Sequence, residues 1–330
     1  MRQSIFKKNS LKTLSKWPTL VHMRKSIFLL LAASFSVFSL EESDLVFEDQ
    51  GSSVAEYNTL LQEAMTGKNW WAVIDYSDVI SYHFPTTPFA QESPYLTGYA
   101  YYQMGQFELA NQALSAYINH SATHSHFEEA IQMKFEIAEA FHSGKKKRLF
   151  GSHKMPEWLS AKEDAIEIYD EVITALPHNP MAAKSLLGKG KIQAEFEEFK
   201  SAVETLTQLI RRFPKNEEAA EAYLEINRVY LSQCKVTSLD LDLLDLAAVN
   251  LRKFHLAFPR EPRLEEAEKT FAETQELFAQ NLLETGRFFA KTKKKDASKI
   301  YFNKVVSKYP TTKAATAARE KLGLDSEALR

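Results

Sequence analysis

The segment GYAYYQMGQFELANQAL, residues 98–114, decides the fold of this chain. Glycine, aromatic and small residues follow one another in it at the spacing of two short helices that pack against each other. The positions that carry this signature are Gly98, Tyr101, Gly105, Phe107, Ala110 and Leu114. The segment therefore predicts a helical hairpin.

The same pattern extends along the chain as a proline with a small residue twelve positions before it. The pairs are Ala165 and Pro177, Ala202 and Pro214, Ala247 and Pro259, and Ser298 and Pro310, with Val73 and Pro85 as a bulkier version. A small residue lets two helix backbones approach to about 8–10 Å, and proline ends the helix because it lacks an amide hydrogen. Gly190 and Gly286 stand twenty-four positions before their prolines. This is the arrangement of the tetratricopeptide repeat (TPR), a hairpin of about 34 residues.

Apolar residues eight and five positions before the prolines predict the buried face of each second helix. They are Tyr169, Leu206, Leu251 and Phe302, and Val172, Leu209, Phe254 and Val305. The chain is therefore predicted to be an all-α, right-handed TPR solenoid of about six hairpins. The hairpins are expected near residues 54–87, 91–123, 127–180, 182–215, 218–260 and 264–312. A helix over 312–322 is expected to cap the stack, because a terminal repeat must cover its apolar face.

The start of the chain has a different composition. Residues 1–39 carry seven positive charges and no acidic residue, and 27–38 are largely apolar. This run is shorter than the about 20 residues of a transmembrane helix, so we expect a signal peptide at 1–39. Residues 40–53 are expected to be a flexible linker and 54–330 the solenoid. An uncleaved membrane anchor is the alternative, and Met23 is a second candidate for the start.

Charge and motifs restrict the function. Without residues 1–39 the formal charge is −9, which argues against nucleic acid as a partner. The basic clusters 145–148 and 293–295 are interpreted as solvated charge between helices. No nucleophile elbow, phosphate loop or zinc-protease helix occurs, so we expect no enzymatic activity, cofactor or metal. His120, His124, His126 and Glu128 are interpreted as a polar junction between hairpins.

Several segments resemble the BamD family, also called YfiO or ComL. They are residues 67–70, 82–85 and 99–103, the insertion LFGSHKMPEW at 149–158, and the last repeat at 277–312. BamD proteins are outer-membrane assembly lipoproteins built of TPRs. The resemblance implies a periplasmic scaffold at the inner face of the outer membrane. Its implied partners are unfolded outer-membrane β-barrel proteins and a BamA-like insertase.

The chain departs from that family in two respects. BamD proteins have a lipobox cysteine directly after the signal, whereas Leu40 stands at that position here and Cys234 is the only cysteine. A lipid anchor is therefore doubtful, and we expect membrane association to be indirect, through partners. The family typically has five repeats, and six are predicted here.

The resemblance also implies two binding regions. Early repeats receive the C-terminal aromatic signal of a barrel protein, and later repeats hold the insertase. The candidate peptide-binding residues are Asn58, Gln62, Tyr95, Tyr99 and Tyr102, and the candidate partner contacts are Arg287, Lys293, Lys294 and Lys295. Tyrosine suits a groove because it has an apolar ring and a polar tip. The alternative is that the tyrosines only pack the helix pair.

Two other functions remain open at this point. One is a different periplasmic TPR adaptor, such as a Tol-linked cell-division coordinator or a pilus-assembly protein. The other, less favoured, is a cytoplasmic secretion chaperone, which requires that residues 1–39 are not a signal.

Overall fold

A computed structural model describes residues 53–120, 125–148, 156–237 and 239–324. The signal peptide and nearly all of the linker expected before residue 53 lie outside the described residues. The described part contains thirteen helices: α1 Val54–Thr66, α2 Trp70–His83, α3 Pro88–Gln103, α4 Phe107–His120, α5 Phe127–His142, α6 Lys162–Ala175, α7 Pro180–Glu195, α8 Phe199–Arg212, α9 Glu217–Val236, α10 Leu241–Ala257, α11 Arg263–Lys291, α12 Lys295–Lys308 and α13 Lys313–Leu322.

Consecutive helices pair as six hairpins, from α1 with α2 to α11 with α12, and α13 packs on the last hairpin. The second helix of one hairpin also contacts the first helix of the next, which makes the stack continuous. The predicted fold class, an all-α TPR solenoid of six hairpins with a capping helix, is confirmed. Within the described residues, no helix is both long and apolar enough to cross a membrane.

Local sequence sets where the helices begin. Ser53 caps α1 in both directions: its hydroxyl accepts from the amide of Glu56, and its own amide donates to the Glu56 carboxylate at 2.7 Å. The side chains of Thr87 and Asn179 cap α3 and α7, and a proline follows each of them at the first helical position. Proline is suited to this position because the first helical amides have no partner within the helix.

Small residues lie where the two helices of a hairpin cross. Ala165, Ala202, Ala247, Ser298 and Val73 are all buried in second helices. A Cβ atom added to Gly98, Gly190 or Gly286 would lie 2.6–2.8 Å from the side chain sixteen positions later, which is too close. Those side chains are Leu114, Leu206 and Phe302. The glycines are therefore required by the approach of the neighbouring helix.

The predicted buried face is present. Of its eight residues, Leu251 is half-buried and the other seven are buried. Leu251 packs at the edge of a cluster around Tyr223 and Phe254. The apolar stripe read from the sequence is therefore the interior of the hairpins, where full burial of a large side chain contributes about 1.5–3 kcal/mol.

The interpretation of residues 145–148 as solvated loop charge is wrong for Lys147 and Arg148. These two residues form strand β1, Lys147–Arg148, which pairs antiparallel with β2, Glu157–Leu159. Lys147 forms an ion pair with Asp164, and the amide of Arg148 donates to the Glu108 carboxylate at 2.8 Å. Residues 149–155 of the insertion lie outside the described residues. The cluster 293–295 is exposed at the α11–α12 turn, as expected.

Candidate functional site

The first helices of successive hairpins lie side by side and form one continuous surface. Two cavities, of about 390 and 350 Å³, lie against α5, α7 and α9, and both are lined by His142 and Lys191. Side chains from α3 and α11 extend this surface at either end. We call it the groove.

One end of the groove is aromatic. Tyr95 on α3 stacks on His126, with ring centroids 4.4 Å apart and planes at 8°. Tyr99, one turn later, contacts the edge of Trp70 at 5.8 Å and lies 6.5 Å from Tyr95. We refer to Trp70, Tyr95, Tyr99, Tyr102 and His126 as the aromatic wall.

The phenol groups of Tyr95 and Tyr102 remain neutral well above physiological pH. Burial raises the pKa of Tyr102 to about 12, and its hydrogen bond to Glu136 on α5 adds to the shift. Burial also raises the pKa of Tyr95 to about 12, with Glu129 contributing. Neutral hydroxyls both donate and accept hydrogen bonds. The wall therefore combines apolar ring faces with polar edges.

The structure separates the predicted groove residues into two sets. Tyr95, Tyr99 and Tyr102 are half-buried, so each packs against a neighbour and keeps part of its surface accessible. Asn58 is half-buried on α1 and Gln62 is exposed one turn later. In the part of the chain that the structure describes, neither polar side chain forms a hydrogen bond with the three tyrosines. The polar pair and the tyrosines stand on the first helices of neighbouring hairpins, α1 and α3.

The middle of the groove is charged. Positive and negative side chains alternate across α7, α9 and α11. The ion pairs are Lys191 with Glu221 at 3.2 Å and Glu225 at 3.6 Å, Arg228 with Glu225 and Glu266, and Arg263 with Glu217 at 2.5 Å and Glu221 at 3.5 Å. Burial raises the pKa of Glu225, and the charges of Arg228 and Lys191 oppose that rise. We call these residues the charged stretch; they largely neutralise one another.

Reasoning from the sequence missed Glu136 and the charged stretch, although a signal was available. Tyr102 and Glu136 are 34 positions apart, and so are Lys191 and Glu225. Since equivalent positions of neighbouring first helices lie side by side, complementary side chains one repeat apart are expected to meet. No such pattern in the sequence indicates that Trp70 belongs to the aromatic wall.

The structure describes the predicted polar junction of His120, His124, His126 and Glu128 only in part. His126 stacks in the aromatic wall, while His124 and the side chain of His120 lie outside what the structure describes. Among the described residues, no group of three or more His, Cys, Asp or Glu side chains is arranged to hold a metal ion.

The predicted partner contacts lie in the last hairpin. Arg287 is half-buried on α11 and forms an ion pair with Glu284 at 2.6 Å. Lys293, Lys294 and Lys295 are exposed at the turn into α12. Lys294 also lies over the ring of Phe289, 5.8 Å from its centroid.

Comparison with known families agrees with this architecture. The sequence profile of a tetratricopeptide repeat family matches residues 48–187. With the six stacked hairpins, this match defines the chain as a TPR protein. The profile of the YfiO family, described as outer membrane lipoprotein, matches residues 159–328, just over half of the chain. The chain belongs to the YfiO family, which confirms the resemblance seen in the sequence.

Solved structures with a similar arrangement include two bacterial TPR proteins. A TPR protein from Parabacteroides merdae is 13% identical with a TM-score of 0.34, and the match covers 82% of this chain and 98% of that one. The C-terminal part of a TPR repeat-containing protein from Cytophaga hutchinsonii is 10% identical with a TM-score of 0.34, covering 81% and 99%. Similarity at this level carries no argument about function. No curated protein matches the sequence.

Proposed function

We propose that this chain is a non-enzymatic scaffold of outer-membrane β-barrel assembly, located in the periplasm at the inner face of the outer membrane. Its groove binds unfolded barrel precursors, and its later repeats bind a BamA-like insertase. Membership of the YfiO family supports the compartment and the general role. The aromatic wall is the observation that supports a role in binding precursors.

The wall has the chemistry that a peptide with an aromatic end requires. Tyr95 and Tyr99 present ring faces, on which another aromatic side chain gains about 0.5–1.5 kcal/mol beyond simple burial. The hydroxyl of Tyr102, held by Glu136, is placed beside them. An extended peptide needs both apolar contacts for its side chains and hydrogen-bond partners for its backbone.

The charged stretch supports binding rather than catalysis. Its carboxylates are paired with lysine or arginine across neighbouring helices. Pairing between helices takes up these charges within the surface, as in a structural ion-pair network. Such a surface offers hydrogen-bond partners to the backbone of an unfolded polypeptide.

Peptide binding tests the proposal. A fluorescent peptide ending in phenylalanine is titrated with the full chain, and fluorescence anisotropy gives Kd. The change Tyr99→Ala should weaken binding by at least about 1 kcal/mol, or roughly fivefold. The matched control is Tyr82→Ala, because Tyr82 is 82% exposed on α2 and belongs to no part of the wall. Equal affinity of wild type and Tyr99→Ala would exclude the wall as the binding site.

Co-purification tests the partner. A tagged chain isolated from the cell envelope should retain the insertase, and Lys293→Glu with Lys294→Glu should reduce its recovery. The matched control is Lys200→Glu with Lys215→Glu, which makes the same charge change at exposed sites elsewhere. Recovery of Tol or pilus components without an insertase would favour a different periplasmic adaptor.

A further inference from the structure

Charge is strongly segregated along the described part of the chain. Residues 287–321 contain eleven lysines and arginines but only Asp296 and Glu320 as acids, a formal charge of +9. Residues 53–286 contain 22 basic and 34 acidic residues, a formal charge of −12. The net formal charge of the whole chain is only −2. This value gives no indication that one end of the described part is strongly basic. We call residues 287–321 the basic end.

The basic end encloses a cavity of about 600 Å³ between α11, α12 and α13. Ala290 and Phe302 provide apolar surface inside it. Its rim is formed by Arg287, Lys291, Lys295, Lys299 and Lys321. Five positive groups around one opening repel each other and favour an anion among them.

The rim lysines have no counter-ion in the chain as described. Arg287 is paired with Glu284, whereas Lys291, Lys295, Lys299 and Lys321 form no ion pair with any residue of the described ranges. This differs from the charged stretch, where lysine and arginine meet carboxylates of a neighbouring hairpin. These four lysines are therefore available to an external anion.

Exposed apolar side chains accompany these cations. Phe288, which follows Arg287 in the sequence, is 60% exposed, and Ile300, which follows Lys299, is 55% exposed. An acidic protein or a nucleic acid would neutralise the lysines but would not explain the exposed Phe288 and Ile300. A phospholipid bilayer offers phosphates to the lysines and an apolar layer beneath them to Phe288 and Ile300.

We propose that the basic end docks directly on an anionic phospholipid surface. The rim of the cavity holds lipid phosphates, and Phe288 and Ile300 enter the interfacial layer. Each basic residue near an anionic membrane increases partitioning about fivefold. The contact adds a direct attachment to the indirect one expected from the sequence, and it does not depend on the peptide-binding function of the groove.

Vesicle sedimentation tests this contact. The full chain is mixed with vesicles of phosphatidylcholine alone or with about 30% phosphatidylglycerol at about 0.1 M salt. We expect binding to the anionic vesicles only. The triple variant Lys291→Gln, Lys295→Gln, Lys299→Gln should lower the partition coefficient at least about tenfold.

A control variant separates local from overall charge. Lys215→Gln, Lys235→Gln, Lys253→Gln makes the same change in net charge at exposed positions outside the basic end. Its partition coefficient should stay within about twofold of wild type. Equal losses in the two triple variants would overturn the proposal, and so would absence of binding to anionic vesicles. All six lysines are exposed, and melting curves of both variants verify that the fold is kept.

A second pair of measurements tests the apolar component and the kind of anion. Phe288→Ser with Ile300→Ser should reduce vesicle binding several-fold, because the interfacial contribution of the two side chains is lost. No reduction would overturn their insertion. Tight binding to a polyglutamate peptide, with no binding to vesicles, would identify an acidic protein as the occupant and overturn the membrane contact.

Discussion

The aromatic wall and the basic end lie on two different hairpins that pack internally in the same way but differ in surface chemistry. In the wall's hairpin Gly98 packs against Leu114, and in the last hairpin Gly286 packs against Phe302 in the equivalent way. The surface of the wall consists of half-buried aromatic rings, whereas that of the basic end consists largely of exposed lysines. The comparison shows that packing constrains the inside of each repeat, while the outer positions can differ in charge and polarity.

The largest expected effect is a loss of stability when the helix crossing that the two hairpins share is overpacked. Gly98→Val and Gly286→Val should each lower the free energy of unfolding by about 1–3 kcal/mol, because a side chain at either position collides with the second helix. Urea unfolding followed by circular dichroism measures this. Similar losses in the two regions would confirm that one packing rule serves both.

The matched control lies on the same helix as Gly286. Ala272→Val adds a branched side chain at an exposed position of α11, and should cost only about 0.5 kcal/mol through helix propensity. If Gly286→Val were no worse than this control, the crossing geometry of the last hairpin would be wrong.

A smaller effect distinguishes the two surfaces. Tyr102→Phe removes the hydroxyl that donates to Glu136 and should cost about 1 kcal/mol. Tyr301→Phe, in the basic end, should change stability by less than about 0.5 kcal/mol. The ring of Tyr301 stacks on Phe289 at 5.3 Å, and this contact survives the change. Equal effects in the two variants would mean that the Tyr102 hydroxyl contributes nothing special to the wall.

The smallest effect is a dependence on pH. The pKa of Tyr102 is raised to about 12, above the value of about 10 for an unfolded chain. Its contribution to stability is therefore complete below about pH 10 and is lost as the pH rises through 12. The cost of Tyr102→Phe should shrink by a few tenths of a kcal/mol between about pH 9 and 11, allowing for solvent screening. Urea unfolding of both proteins at about pH 9 and 11 measures this cost. A cost that stays constant would contradict the raised pKa of Tyr102.

Contacts inside one hairpin could be predicted from the sequence, and most of those between hairpins could not. The glycines and small residues of the crossings were identified because both helices of a hairpin lie within about 34 residues and obey one spacing. The stacking of His126 on Tyr95, by contrast, depends on how α5 is placed against α3. Within the third hairpin, the ion pair of Lys147 with Asp164 was also missed, because it depends on the short strand β1 in the insertion between α5 and α6.

The sequence by itself determined the repeat, the number of hairpins and the interior of each, because burial and helix geometry impose a strict spacing on apolar and small residues. It also placed eleven basic residues near the end of the chain. Only the tertiary structure decided which charges are neutralised. The lysines and arginines of the charged stretch meet carboxylates of neighbouring hairpins, whereas of those around the last cavity only Arg287 forms an ion pair within residues 53–324 as described. The physical reason is that charge pairing is set by distances between helices, which the spacing within one repeat does not specify.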